Sequence, residues 1–150
     1  MRLLLILSLT ALLIGASAVA QDGIDPRRPA LRTQEQKTFI LDQMRLFVAS
    51  IQAIDEGLSE HDCAKVAAAA RPRGLNAVRV LPKPPGLQES ETPEWKAIGM
   101  ATRRGFDEIA DAADQGAPAE KILAVLGSTL KNCVACHQTF QIETSREPIQ

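Results

Sequence analysis

Hydrophobic residues recur at every third or fourth position in several long stretches of this chain, which is the spacing of helices that bury one face. The first predicted helix runs from about Thr33 to Gly57. Thr33 is its expected N-cap, Gln36 is placed to complete a capping box, and Gly57 is its expected stop. The predicted core-facing stripe of this helix consists of Ile40, Met44, Phe47, Val48, Ile51, Ile54 and Leu58.

Two more helices are expected on either side of a proline-rich connection. The second is short, from Asp62 to about Arg71, and the third is capped by Thr92 and closed by Gly116. Residues 72–92 are too few to link two domains, so they are interpreted as an ordered crossover that packs over the helices. The predicted inward stripe of the third helix is Trp95, Ile98, Thr102, Phe106, Ile109 and Ala113.

A fourth helix is predicted from near Pro118 to about Phe140. Composition supports helices over strands, because alanine is abundant and runs of β-branched residues are absent. The chain has one tryptophan, four phenylalanines and no tyrosine, a poor aromatic supply for a single domain of this length. The predicted inward stripe of the fourth helix is Ile122, Leu126, Thr129, Leu130, Cys133 and His137.

The two ends of the chain are expected to lie outside this helical domain. Residues 1–20 resemble a secretory signal peptide, with Arg2 before an apolar run over 3–15 and a small-residue A-V-A ending. Residues 21–32 are expected to form a flexible lead, and residues 144–150 a C-terminal tail. No later segment is apolar for long enough to span a bilayer, so an exported protein without a membrane anchor after cleavage is predicted.

Cys133, Cys136 and His137 form the pattern C-x-x-C-H, the attachment signature of a c-type haem. Two thiols add across the two vinyl groups of the haem, and the adjacent imidazole binds the iron. On a helix the three side chains lie on one face, and here they continue the inward stripe. The motif predicts one covalently bound haem c, with His137 as the proximal iron ligand. Haem of this type is attached on the outer side of an energised membrane, which agrees with the signal peptide and predicts a bacterial periplasm.

Cys63 is the odd thiol, since Cys133 and Cys136 are assigned to haem. It is interpreted as a small buried hydrophobe, an intermolecular disulfide partner or a reactive thiol, and the apolar residues around it favour the first. Two haem-free interpretations of the C-x-x-C pair also stay open. A zinc site would need His61 and Cys63 as further ligands, and a dithiol redox pair would be expected within a βαβ unit.

Residues 33–143 resemble the cytochrome c′ and cytochrome c556 family. The resemblance is carried by the C-x-x-C-H motif on the last predicted helix, by Phe140 three positions beyond it, and by the segment 106–110 of the third helix. It implies an all-α fold, an antiparallel four-helix bundle with covalently bound haem c. It also implies a protein that transfers electrons or binds small gases and is not an enzyme. Members of this family are often homodimers that meet through their first two helices.

The resemblance places the first helix over the second axial position of the iron. A methionine there gives a six-coordinate, low-spin iron suited to electron transfer, and Met44 occupies the centre of that helix's stripe. Met44 is therefore the expected distal ligand of a periplasmic electron carrier. The alternative is that Met44 only packs above the iron. The protein would then be five-coordinate and would bind nitric oxide or carbon monoxide.

The other candidate ligands are less well placed in the sequence. Met100 shares a helix face with Arg103 and is expected to point outward, and His61 is expected to be a solvated turn residue. One departure from the family is Gln141, which stands where many members carry arginine or lysine. The net charge of −1 gives no reason to expect nucleic acid or an acidic membrane as a partner, so redox proteins are the expected partners.

Overall fold

The computed structural model describes residues 25–145, so the predicted signal peptide over 1–20 lies outside the described residues. Within them the fold is predominantly α-helical, as predicted. None of the described helices combines the length and hydropathy needed to cross a membrane. In chain order the elements are β1 (Arg28–Arg32), α1 (Gln34–Ser59), α2 (Cys63–Ala70), a 3-10 turn (Arg71–Arg73), α3 (Leu75–Arg79), α4 (Pro93–Asp114), α5 (Ala119–Thr139) and β2 (Phe140–Thr144).

Helix α1 begins with the predicted capping box. The Thr33 hydroxyl accepts a hydrogen bond from the Gln36 backbone N–H, and the Gln36 side-chain oxygen accepts one from the Thr33 N–H, both at 3.2 Å. These contacts satisfy two of the N–H groups that a helix start leaves without partners. Gln36 is also buried, and its amide nitrogen donates to the Pro85 carbonyl at 2.8 Å. One side chain therefore fixes the start of α1 and ties the crossover to it.

Gly57 does not stop α1, contrary to the prediction, because the helix continues to Ser59. A Cβ atom at Gly57 would lie 2.9 Å from Cγ2 of Val66 in α2. The glycine therefore permits the close approach of α2, while the chain turns further on, at His61, with a φ of 55°. Asp62 caps α2 as predicted, through a hydrogen bond of 2.9 Å from the Lys65 N–H to its carboxylate.

The core lies where α4 packs against α2 and α5, while α1 packs against α2. The predicted stripes of α4 and α5 supply five of its residues, Phe106, Ile109, Ala113, Ile122 and Leu126. In the α1 stripe the prediction is wrong for Val48, whose side chain is 66% exposed. At roughly 100° per residue Val48 lies about 80° from Ile40, at the edge of the apolar face. The most completely buried large apolar side chains are Ile54, Val66, Phe106, Ile109 and Ile122.

The crossover contains more helix than predicted. A 3-10 turn and the short helix α3 occupy its first part, and Leu87 is buried in its second part. The Asp107 carboxylate of α4 accepts a hydrogen bond of 2.9 Å from the Leu75 N–H at the start of α3. A Cβ atom at Gly74 would lie only 1.7 Å from that carboxylate, so glycine is needed for this contact. The crossover is thereby fixed against α4.

The expected flexible lead over 21–32 is corrected for residues 28–32, which form β1. This strand pairs in parallel with β2, from Arg28 opposite Phe140 to Arg32 opposite Thr144. Thr144 therefore belongs to a strand and not to the expected tail. Phe140 and Ile142 alternate with polar residues, which is the period of a strand, and the pairing buries Phe140 and Ala30. β1 is thus joined to a strand that begins three positions after His137, the last residue of the C-x-x-C-H motif.

Gly105 sets the separation between α4 and α5. A Cβ atom there would lie 2.1 Å from Oγ1 and 2.9 Å from Cβ of Thr129, so a rotation of Thr129 alone cannot make room. Alanine gains roughly 1 kcal/mol of helix propensity over glycine, but overpacking costs typically about 1–3 kcal/mol. We expect Gly105→Ala to lower the free energy of unfolding by about 1 kcal/mol, measured by denaturant titration.

Gly127 is the matched control for this substitution. It also lies inside a helix, but nothing stands within 4 Å of a Cβ atom placed there. Gly127→Ala should therefore raise the free energy of unfolding by up to about 1 kcal/mol through helix propensity alone. Equal effects of the two substitutions would contradict the close contact between Gly105 and Thr129.

Candidate functional site

A cavity of about 450 Å³ lies between α1, α4, α5 and the crossover. We call it the main cavity. Met44 of α1 and the three motif residues Cys133, Cys136 and His137 all line it. The structure therefore brings together in one space the four side chains that the sequence singled out. The rest of the lining is largely apolar, with Phe39, Ile40 and Phe47 from α1, Leu75, Val78 and Leu87 from the crossover, and Trp95 and Ile98 from α4.

Helix α5 presents the motif residues to the main cavity from its last two turns. Cys133 and Cys136 are half-buried and His137 is exposed. The helix ends directly after them, where the Phe140 N–H donates to the Cys136 carbonyl and the backbone becomes extended. The aromatic residue predicted to matter beyond the motif is thus the first residue of β2, and its buried ring helps to fix the end of α5.

The electrostatics of the two motif thiols differ from those of a reactive dithiol. Burial raises the pKa of Cys133, and burial together with the neighbouring Cys133 raises the pKa of Cys136. Both thiols are therefore protonated at neutral pH, whereas catalytic C-x-x-C pairs depend on a lowered pKa. The free thiols are the form needed for addition to a vinyl group.

The residues required by the zinc interpretation are not brought together. His61 is exposed in the turn between α1 and α2, as expected, and Cys63 lies at the first position of α2. Neither lines the main cavity. Within residues 25–145 no three His, Cys, Asp or Glu side chains are grouped as metal ligands. Cys63 is half-buried and packs against the hydrophobic core, which fits the first of its three interpretations.

Two methionines line the main cavity. Met44 is half-buried on α1, and Met100 on α4 is 50% exposed. The prediction that Met100 points outward is therefore only partly correct, because it lies at the rim of the main cavity. Met44 and Met100 are the two thioethers that can be compared by substitution.

Alternating cations and aromatic rings hold β1 and β2 against the start of α4. The Arg28 guanidinium lies 4.6 Å from the centre of the Phe140 ring, and that ring lies 5.2 Å from Trp95. The Arg32 guanidinium lies 5.0 Å from the centre of the Trp95 ring. Arg28 also forms an ion pair with Glu94. Since Trp95 and His137 line the same cavity, this stack positions part of the lining that surrounds the motif.

A second, smaller cavity of about 280 Å³ adjoins the main one and shares Met44, Trp95, Cys136 and His137 with it. Gln141 lines it, and so does Arg27 from the other end of the described chain. The Nη1 atom of Arg27 donates a hydrogen bond to the His137 carbonyl at 3.4 Å. Its guanidinium also pairs with Asp25 and lowers the pKa of that carboxyl to about 2.

Apart from the motif residues, the ionisable side chains that line the main cavity belong to the crossover and to α4. Lys83 and Glu91 belong to the crossover, and Lys96 and Arg103 belong to α4. Glu91 is half-buried, and burial raises its pKa against the opposing effect of the surrounding cations. Burial lowers the pKa of Arg103. The main cavity therefore has an apolar body and one side with an excess of positive charge.

Sequence reasoning missed the strand pair, the aromatic and cationic stack and the charged side of the main cavity. The alternation of Phe140, Gln141, Ile142 and Glu143 is a signal that could have indicated β2. The charged residues had no such signal, because they are spread over residues 83–103 and only the fold groups them. No protein-family model, no curated protein and no solved structure matches this chain.

Proposed function

We propose that this chain is a periplasmic mono-haem c-type cytochrome that acts in electron transfer. The observation that carries the proposal is that Met44 of the first helix and Cys133, Cys136 and His137 of the last helix line one largely apolar cavity. Two thiols, an imidazole and a thioether are the side chains needed to attach a haem and to bind its iron on both sides. The proposed fold is an antiparallel four-helix bundle formed by α1, α2, α4 and α5.

The residues present fit a haem by the chemistry of the donor set. Cys133 and Cys136 are protonated, half-buried and three positions apart on α5, where both would form thioether bonds. His137 would bind the iron from one side, and Met44 from α1 would bind it from the other. A bound haem supplies an iron that changes by one electron between its oxidised and reduced forms.

The rest of the main cavity would tune and shield that iron. Phe39, Ile40 and Phe47 line the α1 side and would keep water from a bound haem, and a dry environment keeps the reorganisation that accompanies a change of charge small. A histidine and methionine pair keeps the coordination the same in both oxidation states and raises the reduction potential. We expect no substrate chemistry, because these residues hold and insulate a redox centre and none is assigned to act on a substrate.

The partners proposed are redox proteins that meet the exposed edge near His137. Encounters of this kind are brief and bury little surface, so they need no large apolar patch. A homodimer through the first two helices, which the family resemblance implies, is proposed as the resting assembly.

The experiment is to export the full chain in a bacterial host competent for cytochrome maturation. Intact mass of the purified protein should equal the chain lacking residues 1–20 plus one haem. The reduced protein should have the sharp absorption bands of a low-spin c-type haem. In the oxidised form a sulfur-to-iron charge-transfer band should appear at the red end of the spectrum. A mass without haem would refute the proposal, and a high-spin oxidised spectrum would favour the gas-binding alternative.

A further inference from the structure

The charged side of the main cavity has no role in attaching the haem or in binding the iron. Three cations, Lys83, Lys96 and Arg103, line it together with one carboxylate, Glu91. The cavity residues contributed by α1 are all uncharged, and those contributed by α5 are an asparagine, the two cysteines and His137. An apolar cavity normally has few charges on its surface, so three cations on one side indicate an anionic group within reach.

We propose that Lys83, Lys96 and Arg103 form the binding site for the two carboxylate side chains of the haem. This inference rests on the proposed function. The two thioether bonds would hold one edge of the porphyrin at α5, and the two propionates lie on the other side of the macrocycle. Of the other elements that line the main cavity, α1 contributes no charged residue, whereas the crossover contributes Lys83 and α4 contributes Lys96 and Arg103. The propionates would therefore meet cations on the crossover and α4.

Arg103 is already held in position for this role. Its guanidinium lies 5.1 Å from the centre of the Phe47 ring, and Nη1 donates to the Arg73 carbonyl at 3.1 Å. These two contacts fix the plane of the guanidinium and occupy one of its two terminal nitrogens. A planar, half-buried guanidinium is the side chain that pairs best with a carboxylate. Arg103 is therefore expected to contribute most of the binding.

The positive charges of Lys83 and Lys96 are available to bind an anion. Within residues 25–145 neither ammonium group forms an ion pair with a carboxylate. Both are near enough to Glu91 to lower its pKa, and Arg32 and Arg103 act on Glu91 in the same direction. Burial of Glu91 has the larger effect and raises its pKa. Arg103 is also near the Asp107 carboxylate and the Arg73 cation. Two carboxylates therefore face five cations, which leaves an excess of positive charge that two propionates would balance.

The test uses the matured holoprotein and measures its reduction potential as a function of pH. Arg103→Gln and Lys96→Gln should each lower the potential, because a nearby cation stabilises the reduced iron. Each should also move the pH range over which the potential varies to higher pH, because a propionate that loses its cation ionises less readily. Glu91→Gln should raise the potential. Lys96 is exposed, so its substitution tests the proposal even where Arg103→Gln impairs folding.

Arg104→Gln is the matched control. Arg104 follows Arg103 on α4 and has the same charge, but it is exposed and does not line the main cavity. It should leave the pH profile unchanged. If Arg103→Gln and Lys96→Gln keep their haem and its low-spin spectrum but have the profile of Arg104→Gln, this inference is wrong and the proposed function stands. If the wild-type protein carries no covalent haem, both are wrong.

Discussion

The Cys133→Ala/Cys136→Ala double variant is expected to leave the maturation pathway without covalently attached haem. The two thiols are the groups that would form thioether bonds, and both line the main cavity in a protonated state. The expected change is the complete loss of one haem mass from the intact protein. After denaturation, acidified organic solvent should extract any remaining colour, whereas in the wild-type protein the colour should stay with the polypeptide.

Cys63→Ala is the control for this experiment. Cys63 is half-buried like the other two thiols, but it packs against the core and lies outside the main cavity. Its substitution should retain the full haem mass. Loss of haem from Cys63→Ala, or retention of covalent haem by the double variant, would contradict the assignment of the C-x-x-C-H motif.

The helical part of the fold could be predicted because its determinants are local. Thr33 and Gln36 form the capping box, and Thr92 and Asp62 cap α4 and α2, as their positions in the sequence indicate. A cap satisfies backbone groups within a few residues, so the sequence contains all of its partners. Gly57 was interpreted wrongly because its role depends on Val66 in another helix, which no local pattern reveals.

The motif residues could also be assigned from sequence, but their surroundings could not. The spacing of Cys133, Cys136 and His137 already places them on one face of a helix. That Met44 lines the same cavity depends on how α1 packs, and the sequence supplied only its place in an apolar stripe. The same is true of Arg27, whose contact with the His137 carbonyl joins residues 110 positions apart.

The parallel strand pair adds a physical link between the start of the described chain and the motif. Ordering an N-terminal segment costs conformational entropy, which must be offset by contacts. Here those contacts are the ladder between β1 and β2 and the stack of Arg28, Phe140, Trp95 and Arg32. Since Trp95 lines the main cavity together with His137, the same contacts that order β1 also fix part of that lining.

Met44→Leu is expected to convert the oxidised iron from low spin to high spin. Leucine has no sulfur to bind the iron, so the sulfur-to-iron charge-transfer band should disappear and the reduction potential should fall. The substitution conserves volume at a half-buried position, so, apart from the loss of the bond to iron, it should cost less than about 1.5 kcal/mol of stability. The haem should stay attached, because Cys133 and Cys136 are unchanged. Visible and near-infrared spectra of the oxidised and reduced protein measure the outcome.

Met100→Leu separates ligation from a general effect of losing a thioether. Met100 lines the same cavity, but it is 50% exposed and belongs to α4, the helix that carries Lys96 and Arg103. Its substitution should preserve the low-spin spectrum and the charge-transfer band. If Met100→Leu abolishes the band and Met44→Leu does not, the distal ligand comes from α4. If neither the wild-type protein nor the two variants have the charge-transfer band, the iron lacks a thioether ligand. The binding of carbon monoxide to the reduced protein is then the activity to measure.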